Sequence, residues 1–268
     1  MLDNVTLFDR LFDEYQNLNP SVKLIHQLFN SHNEVIINDH IAFRTFNYPL
    51  VNINALAKPF LERGYKEKGY YRFEQKKLTA KHFEIENNPS APKIFISQLM
   101  VEELSEPVQK ILDKHINESK AKIPQGDDIL FAGNIWGIPS YQIYETLLEE
   151  SEYAAWLYIF GFRANHFTVL VNKLEHIQSL KELNISLKDN GFKLNSSGGE
   201  IKGSPSEFLE QSSTLADMVQ MEFKEGTFNV PACYYEFARR YKMPNGNLFN
   251  GFIAKSADKI FESTNFRK

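Results

Sequence analysis

The chain has 268 residues, of which 43% are hydrophobic and 13% aromatic, with 22 phenylalanines and a formal net charge of −4. Such a composition supplies a sizeable core and excludes a disordered chain, and the mild acidity argues against nucleic acid as a main partner. A single cysteine, Cys233, excludes an internal disulfide framework.

Residues 3–32 read as helical, because Val5, Phe8, Leu11 and Phe12, then Val22, Ile25, Leu28 and Phe29, recur at helical spacing. The N-terminus, MLDNVTLFDRLFDEY, is acidic and lacks the basic flank and apolar run of a signal peptide. No stretch approaches the roughly 18 apolar residues that span a bilayer. A cytoplasmic protein without membrane partners is the expectation; the oligomeric state is open.

NDHIAFRTF (38–46) is a strand, and NINALAKPFLERGY is a helix that stops at Gly64. YYRFEQKK and AKHFEIEN form a hairpin, and KIFISQLM adds a further strand. The order is therefore strand, helix, strand, strand, strand. Residues 103–163 are mostly helical, aromatic and too apolar for a linker, so they read as an insertion packed on the core.

The first order then returns. ANHFTVLVN is a strand, and LEHIQSLKELNISLKDNGF is a helix that stops at Gly191. KLNSSGGEIKGS, LEQSSTLADMVQMEF and PACYYEFARRY follow as the remaining strands. Asp-His opens the first unit and Asn-His the second, which places His40 and His166 at equivalent positions. The chain is expected to be one metal-dependent domain over 1–268. It divides into N-terminal helices (1–34), a first βαβββ module (35–102), the insertion (103–163), a second module (164–243) and a C-terminal segment (244–268).

Alternate residues of a strand share a face. His40, Ala42, Arg44 and Phe46 then lie together, with Asp39, Ile41, Phe43 and Thr45 opposite. A guanidinium on a dry face without partners is too costly, so this face should line a polar cavity. His166, Thr168 and Leu170 share a face of the second strand, and Glu236 shares one with Tyr234 and Ala238.

Two histidines and a carboxylate from three strands suit the facial triad that holds Fe(II) and leaves positions open. Zn, Ni or Mn fit the same donors. The competing reading makes each histidine an ordinary core residue and pairs Glu236 with Arg239 or Arg240. His82, in KHFEIE, is a candidate ligand or neighbour of the site, and Glu222 is the rival carboxylate. His26, His32, His115 and His176 read as solvated helix residues. Cys233 lacks an obvious base, which weighs against a thiol nucleophile. NSSGGEIKGSPS lacks the ending of a phosphate loop and reads as a mobile loop or hairpin.

DHIAFRTF, KHFE, NHFT, LEQSSTLAD and YYEFARR together resemble the 2-oxoadipate dioxygenase/decarboxylase family, over about residues 30 to 250. The resemblance implies an α+β fold of the vicinal-oxygen-chelate type, with two βαβββ modules in a partly closed barrel. It implies non-haem Fe(II) on His40, His166 and Glu236, and Arg44 on the substrate. The implied reaction joins 2-oxoadipate and O2 to give 2-hydroxyglutarate and CO2, in lysine catabolism. Arg44 suits the far carboxylate of such an acid, because a guanidinium grips a carboxylate through two parallel bonds. Ser212, Ser213, Ser196 and Ser197 are further candidate substrate contacts. The alternatives are an oxygen-independent lyase, isomerase or hydrolase on the same scaffold, or a binder of small acids.

Overall fold

The structure, a computed structural model, describes residues 2–86, 88 and 90–260. Helix α1 (Asn4–Leu18) starts where the Asp3 side chain accepts the Thr6 amide, which satisfies one of the free N–H groups of the first turn. Helix α2 (Pro20–Ser31) follows at once, with Pro20 in its first turn. The apolar stripes of this pair are Leu7, Leu11 and Tyr15, then Val22, Ile25 and Phe29, and all six are buried.

The first module runs β1 (Asn38–Phe46), α3 (Ile53–Leu61), β2 (Lys66–Phe73), β3 (Leu78–Glu84) and β4 (Lys93–Leu99). The intervening helices are α4 (Glu106–Ser119), α5 (Tyr141–Glu150) and α6 (Glu152–Phe160). The second module contains β5 (Ala164–Leu170), α7 (Leu180–Asp189), β6 (Lys202–Ser204), β7 (Leu209–Ser213), β8 (Met218–Phe223), β9 (Gly226–Pro231) and β10 (Glu236–Arg240). A last helix, α8, covers Ala254–Ile260. Among the described residues no helix is long and apolar enough to cross a membrane.

Eight strands form one curled sheet in the order β2-β3-β4-β1-β5-β10-β7-β6. Read outward from the β1–β5 junction, each half has the same layout. β1 is parallel to β4, and β3 and β2 follow; β5 is parallel to β10, and β7 and β6 follow. This is the pair of βαβββ modules that the repeated strand-helix order suggests, and β1 and β5 join them antiparallel.

The second module departs from the sequence reading in two of its strands. LEQSSTLADMVQMEF is not one strand: β7 stops at Ser213, and β8 leaves the main sheet to pair only with β9. The β8–β9 hairpin instead buries Phe223 against Tyr141 and Tyr144 of α5. Its turn residue Glu225 accepts from Ser140 Oγ and the Tyr141 amide at the start of α5. The hairpin is thus tied to the helical insertion, and β10 takes the place of the fourth module strand. The Gly- and Ser-rich segment before β7 keeps only three strand residues, because Gly198, Gly199 and Gly203 adopt positive φ.

Helices cover the outer face of the sheet. Phe43 packs on Phe60 of α3, Phe167 packs on Phe12 and Tyr15 of α1, and Ser212 donates to Asn184 of α7. The inner face is where the histidines point. Helix α6 is buried at every position from Tyr153 to Phe160 and reaches that face through Tyr153 and Trp156. Its end is fixed by Gly161 at φ +67°, which lets the chain pass against Gly133 and form the Gly133–Phe162 bridge.

Candidate metal centre

Three neighbouring strands supply the centre. β5 lies between β1 and β10, with His40 opposite Thr168 and Glu236 also level with Thr168. His166 is level with Ala42 on β1. Because the inward side chains of adjacent strands meet, His40, His166 and Glu236 converge, and one ligand atom from each lies within 4.8 Å of the others. His166 Nε2 is 3.1 Å from Glu236 Oε2, and His40 Nε2 is 3.6 Å from Oε1. All three are buried.

Each imidazole is oriented by the residue before it. His40 Nδ1 donates to Asp39 Oδ2 at 2.8 Å, and His166 Nδ1 donates to Asn165 Oδ1 at 2.9 Å. Protonation at Nδ1 leaves each Nε2 with its lone pair toward Glu236, the arrangement a metal ion requires of histidine ligands. Thr168 Oγ1 donates to His40 Nε2 at 3.0 Å, and Gln211 Nε2 donates to Glu236 Oε1 at 2.6 Å.

The electrostatics agree with a ligand set. Burial lowers the His166 pKa and keeps the ring neutral, against the pull of Glu236. Burial opposes ionisation of Glu236, but His40, His166 and the Gln211 amide outweigh it and hold the carboxyl below its usual range. Asp39 is likewise disfavoured by burial, yet the Arg240 guanidinium and the His40 ring hold it well below the usual carboxylate range.

Two imidazoles and one carboxylate, buried and pre-oriented, form a donor set that could hold a divalent metal ion. Among the described residues, theirs is the one such group of histidines, cysteines and acids. The competing sequence reading fails on its pairing: Arg240 binds Asp39 and not Glu236, with Nε to Oδ1 at 2.6 Å. Arg239 lies over the Tyr241 ring.

The other candidates separate. Arg44 is 1% exposed, 3.5 Å from Glu152 and over the rings of Tyr153 and Trp156 on α6. Ser213 is opposite Glu236 in the β7–β10 register and so shares its face. Ser212 takes the reverse face and bonds to α7, so it is not brought to the centre. Ser197 sits in the loop before β6, where its amide donates to Asn195 Oδ1. His82 bonds to Tyr71 and Glu84 and is separated from His40 by the Phe252 ring, which contacts both. Glu222 is exposed on the β8–β9 hairpin and is no rival to Glu236. His26 is half-buried against Phe12 and bonded to the Tyr235 hydroxyl, which corrects its reading as solvated. Burial pushes the Cys233 thiol up to about 12, so it carries no thiolate.

Several residues of the centre were not singled out from sequence. Asp39 and Asn165 were visible as the repeated Asp-His and Asn-His pairs, a signal that marks the orienting partners as well as the ligands. Gln211 and Tyr234 left no such mark. The Tyr234 ring stacks on His166 at 4.6 Å between centroids. Phe252 and Ile260, from the C-terminal segment, close a cavity of about 20 Å³ with His40, Phe95, His166, Gln211 and Glu236. That volume suits about one water molecule.

The profile of the 2-oxoadipate dioxygenase/decarboxylase family matches residues 3–126 and 131–251. A chloroplastic/amyloplastic 2-oxoadipate dioxygenase/decarboxylase of Oryza sativa subsp. japonica is 37% identical, over 97% of this chain and 78% of its own. The crystal structure of an Oryza sativa hydroxyglutarate synthase in complex with 2-oxoadipate superposes with a TM-score of 0.90 at 37% identity, covering 97% of this chain and 91% of that one. A Shewanella frigidimarina protein described as a hydrolase is 49% identical with a TM-score of 0.89, covering 95% and 99%.

Proposed function

The chain belongs to the 2-oxoadipate dioxygenase/decarboxylase family, and on that premise we propose that it is an Fe(II) oxygenase of 2-oxo dicarboxylic acids. The reaction is 2-oxoadipate plus O2 giving 2-hydroxyglutarate plus CO2, in which one oxygen atom of O2 becomes the new hydroxyl and the other enters the carboxylate formed at the former keto carbon. The observation that carries this reading is the convergence of His40, His166 and Glu236 with both Nδ1 atoms already committed.

His40, His166 and Glu236 would hold the ion, which supplies Lewis acidity and redox chemistry with O2. Asp39 and Asn165 hold the rings in the ligating tautomer, and Gln211 aims the Glu236 carboxylate. Phe95, Phe252 and Ile260 keep bulk water from the centre, which strengthens each charge interaction inside it. Arg44 is the proposed partner of the far carboxylate, since it lies on the His40 face and a guanidinium offers a bidentate grip. A six-carbon acid needs far more room than one water, so Phe252 and Ile260 must give way when it enters.

The test loads the protein anaerobically with Fe(II), adds 2-oxoadipate and follows oxygen uptake and products. Equal amounts of O2 consumed, CO2 released and 2-hydroxyglutarate formed are expected. Substrate loss without oxygen uptake would move the assignment to the oxygen-independent class to which the description of the Shewanella protein points.

A further inference from the structure

The Tyr234 side chain is fully buried, yet its hydroxyl has no hydrogen-bond partner among the described residues. Its ring is fixed. It stacks on His166 with an interplanar angle of 28° and packs with Ala216 and Ile260, while its backbone carbonyl accepts the Tyr15 hydroxyl. A dry donor left unmade is costly, and native proteins keep few of them. Phenylalanine would fill the same space without that cost. The hydroxyl is therefore available to a group other than the described residues.

Its surroundings indicate what. A phenol is a neutral hydrogen-bond donor at neutral pH. The ring it stacks on, His166, is level with Ala42 of β1, and Arg44 lies two residues along the same face of that strand. Tyr234 thus lies on the side of the metal centre from which β1 carries Arg44. A carboxylate offers about four lone-pair positions, and a bidentate guanidinium uses two. A phenol can occupy a third, and a charged acceptor makes that bond a strong one.

Resting on the 2-oxo-acid reading above, we propose that the Tyr234 hydroxyl donates to the far carboxylate of the bound acid beside Arg44, and so selects dicarboxylic over monocarboxylic 2-oxo acids. Selection of this kind is steep, because an analogue without the carboxylate leaves a buried donor unmet.

Tyr234→Phe tests this, since it keeps the ring and its stack and removes one oxygen. Three measurements are compared with the parent: the thermal midpoint without ligand, the bound metal, and anaerobic titration of the metal-loaded protein with 2-oxoadipate and with 2-oxohexanoate. The expected result is an unchanged or higher midpoint and equal metal content. Affinity for 2-oxoadipate should weaken about tenfold or more, with 2-oxohexanoate shifted by less than about twofold. Equal weakening for both acids, or none for either, overturns the proposal; so does a lower midpoint, which would reveal a structural partner for the hydroxyl. A parent protein that binds neither acid overturns it too. A parent that binds 2-oxoadipate but takes up no oxygen defeats the oxygenase reading alone, and the affinity ratio still decides the role of Tyr234.

Discussion

Arg240 grips Asp39 through two parallel hydrogen bonds, Nε to Oδ1 at 2.6 Å and Nη2 to Oδ2 at 2.8 Å, and the same Oδ2 accepts from His40 Nδ1. The guanidinium thereby neutralises a fully buried carboxylate that orients a candidate metal ligand. Its Nη1 also donates to the carbonyls of Phe249 and Gly251, next to the Phe252 ring that caps His40 at 4.8 Å. One side chain ties the ligand to the segment that closes the cavity.

Asp39→Asn should weaken metal binding by about ten- to a hundredfold, the usual effect of removing a partner that orients a ligand. It should also cost about 3–5 kcal/mol of stability, because Arg240 loses its countercharge in a dry site. Competition with a chelator and denaturant unfolding read the two effects. Unchanged metal affinity in a destabilised variant would reduce the pair to a structural role.

Arg44→Lys should retain the metal but raise KM for 2-oxoadipate about tenfold or more, since an ammonium cannot reproduce the bidentate grip. Metal analysis and steady-state kinetics check this. Kinetics equal to the parent's would remove Arg44 from the substrate site.

Stability should fall in mild acid through His26. Burial lowers its pKa from 6.5 to about 4. Between those values the unfolded chain takes up a proton that the folded chain refuses, so stability declines as pH drops from 6.5 toward about 4 and is flat above. The ring is half-buried, and with solvent screening the loss should be about 1–2 kcal/mol. Unfolding at about pH 7.5 and about pH 5 should show a shallower decline for His26→Gln. Identical declines would assign the acid sensitivity to other groups.

Gly161→Ala should destabilise by more than about 3 kcal/mol. A Cβ there would collide with the Gly133 carbonyl, a backbone atom that cannot rotate away, and φ at +67° is unfavourable for alanine. Unfolding midpoints and soluble yield measure the loss. Near-parent stability would mean that the α6 terminus can shift, and Tyr153 and Trp156 under Arg44 with it.

Much of the frame was legible in the chain. Strand periodicity put His40 and His166 on inward faces, and the repeated strand-helix order predicted two similar modules. Asp-His and Asn-His carried the orienting residues in plain view, although their task as hydrogen-bond acceptors for Nδ1 was not read from them. The reason is geometric: alternation assigns Asp39 to the outer face, and only its short side chain reaching back to the His40 ring and out to Arg240 makes it part of the centre.

Local sequence by itself determined most of the strands and helices outside the segment between α7 and β10, where Gly64 and Gly191 end two of the helices, and which donors could serve a metal, because these depend on backbone preference and period. Tertiary structure alone decided that β10 rather than β8 joins β5, which brings Glu236 and not Glu222 to the histidines. It also decided that Arg240 answers Asp39 from 201 residues away, that Ser212 faces α7 while Ser213 faces inward, and that Phe252 closes the cavity. These are pairings between distant segments, set by which apolar faces bury together and which buried charges must be met, and no short window of sequence contains both partners.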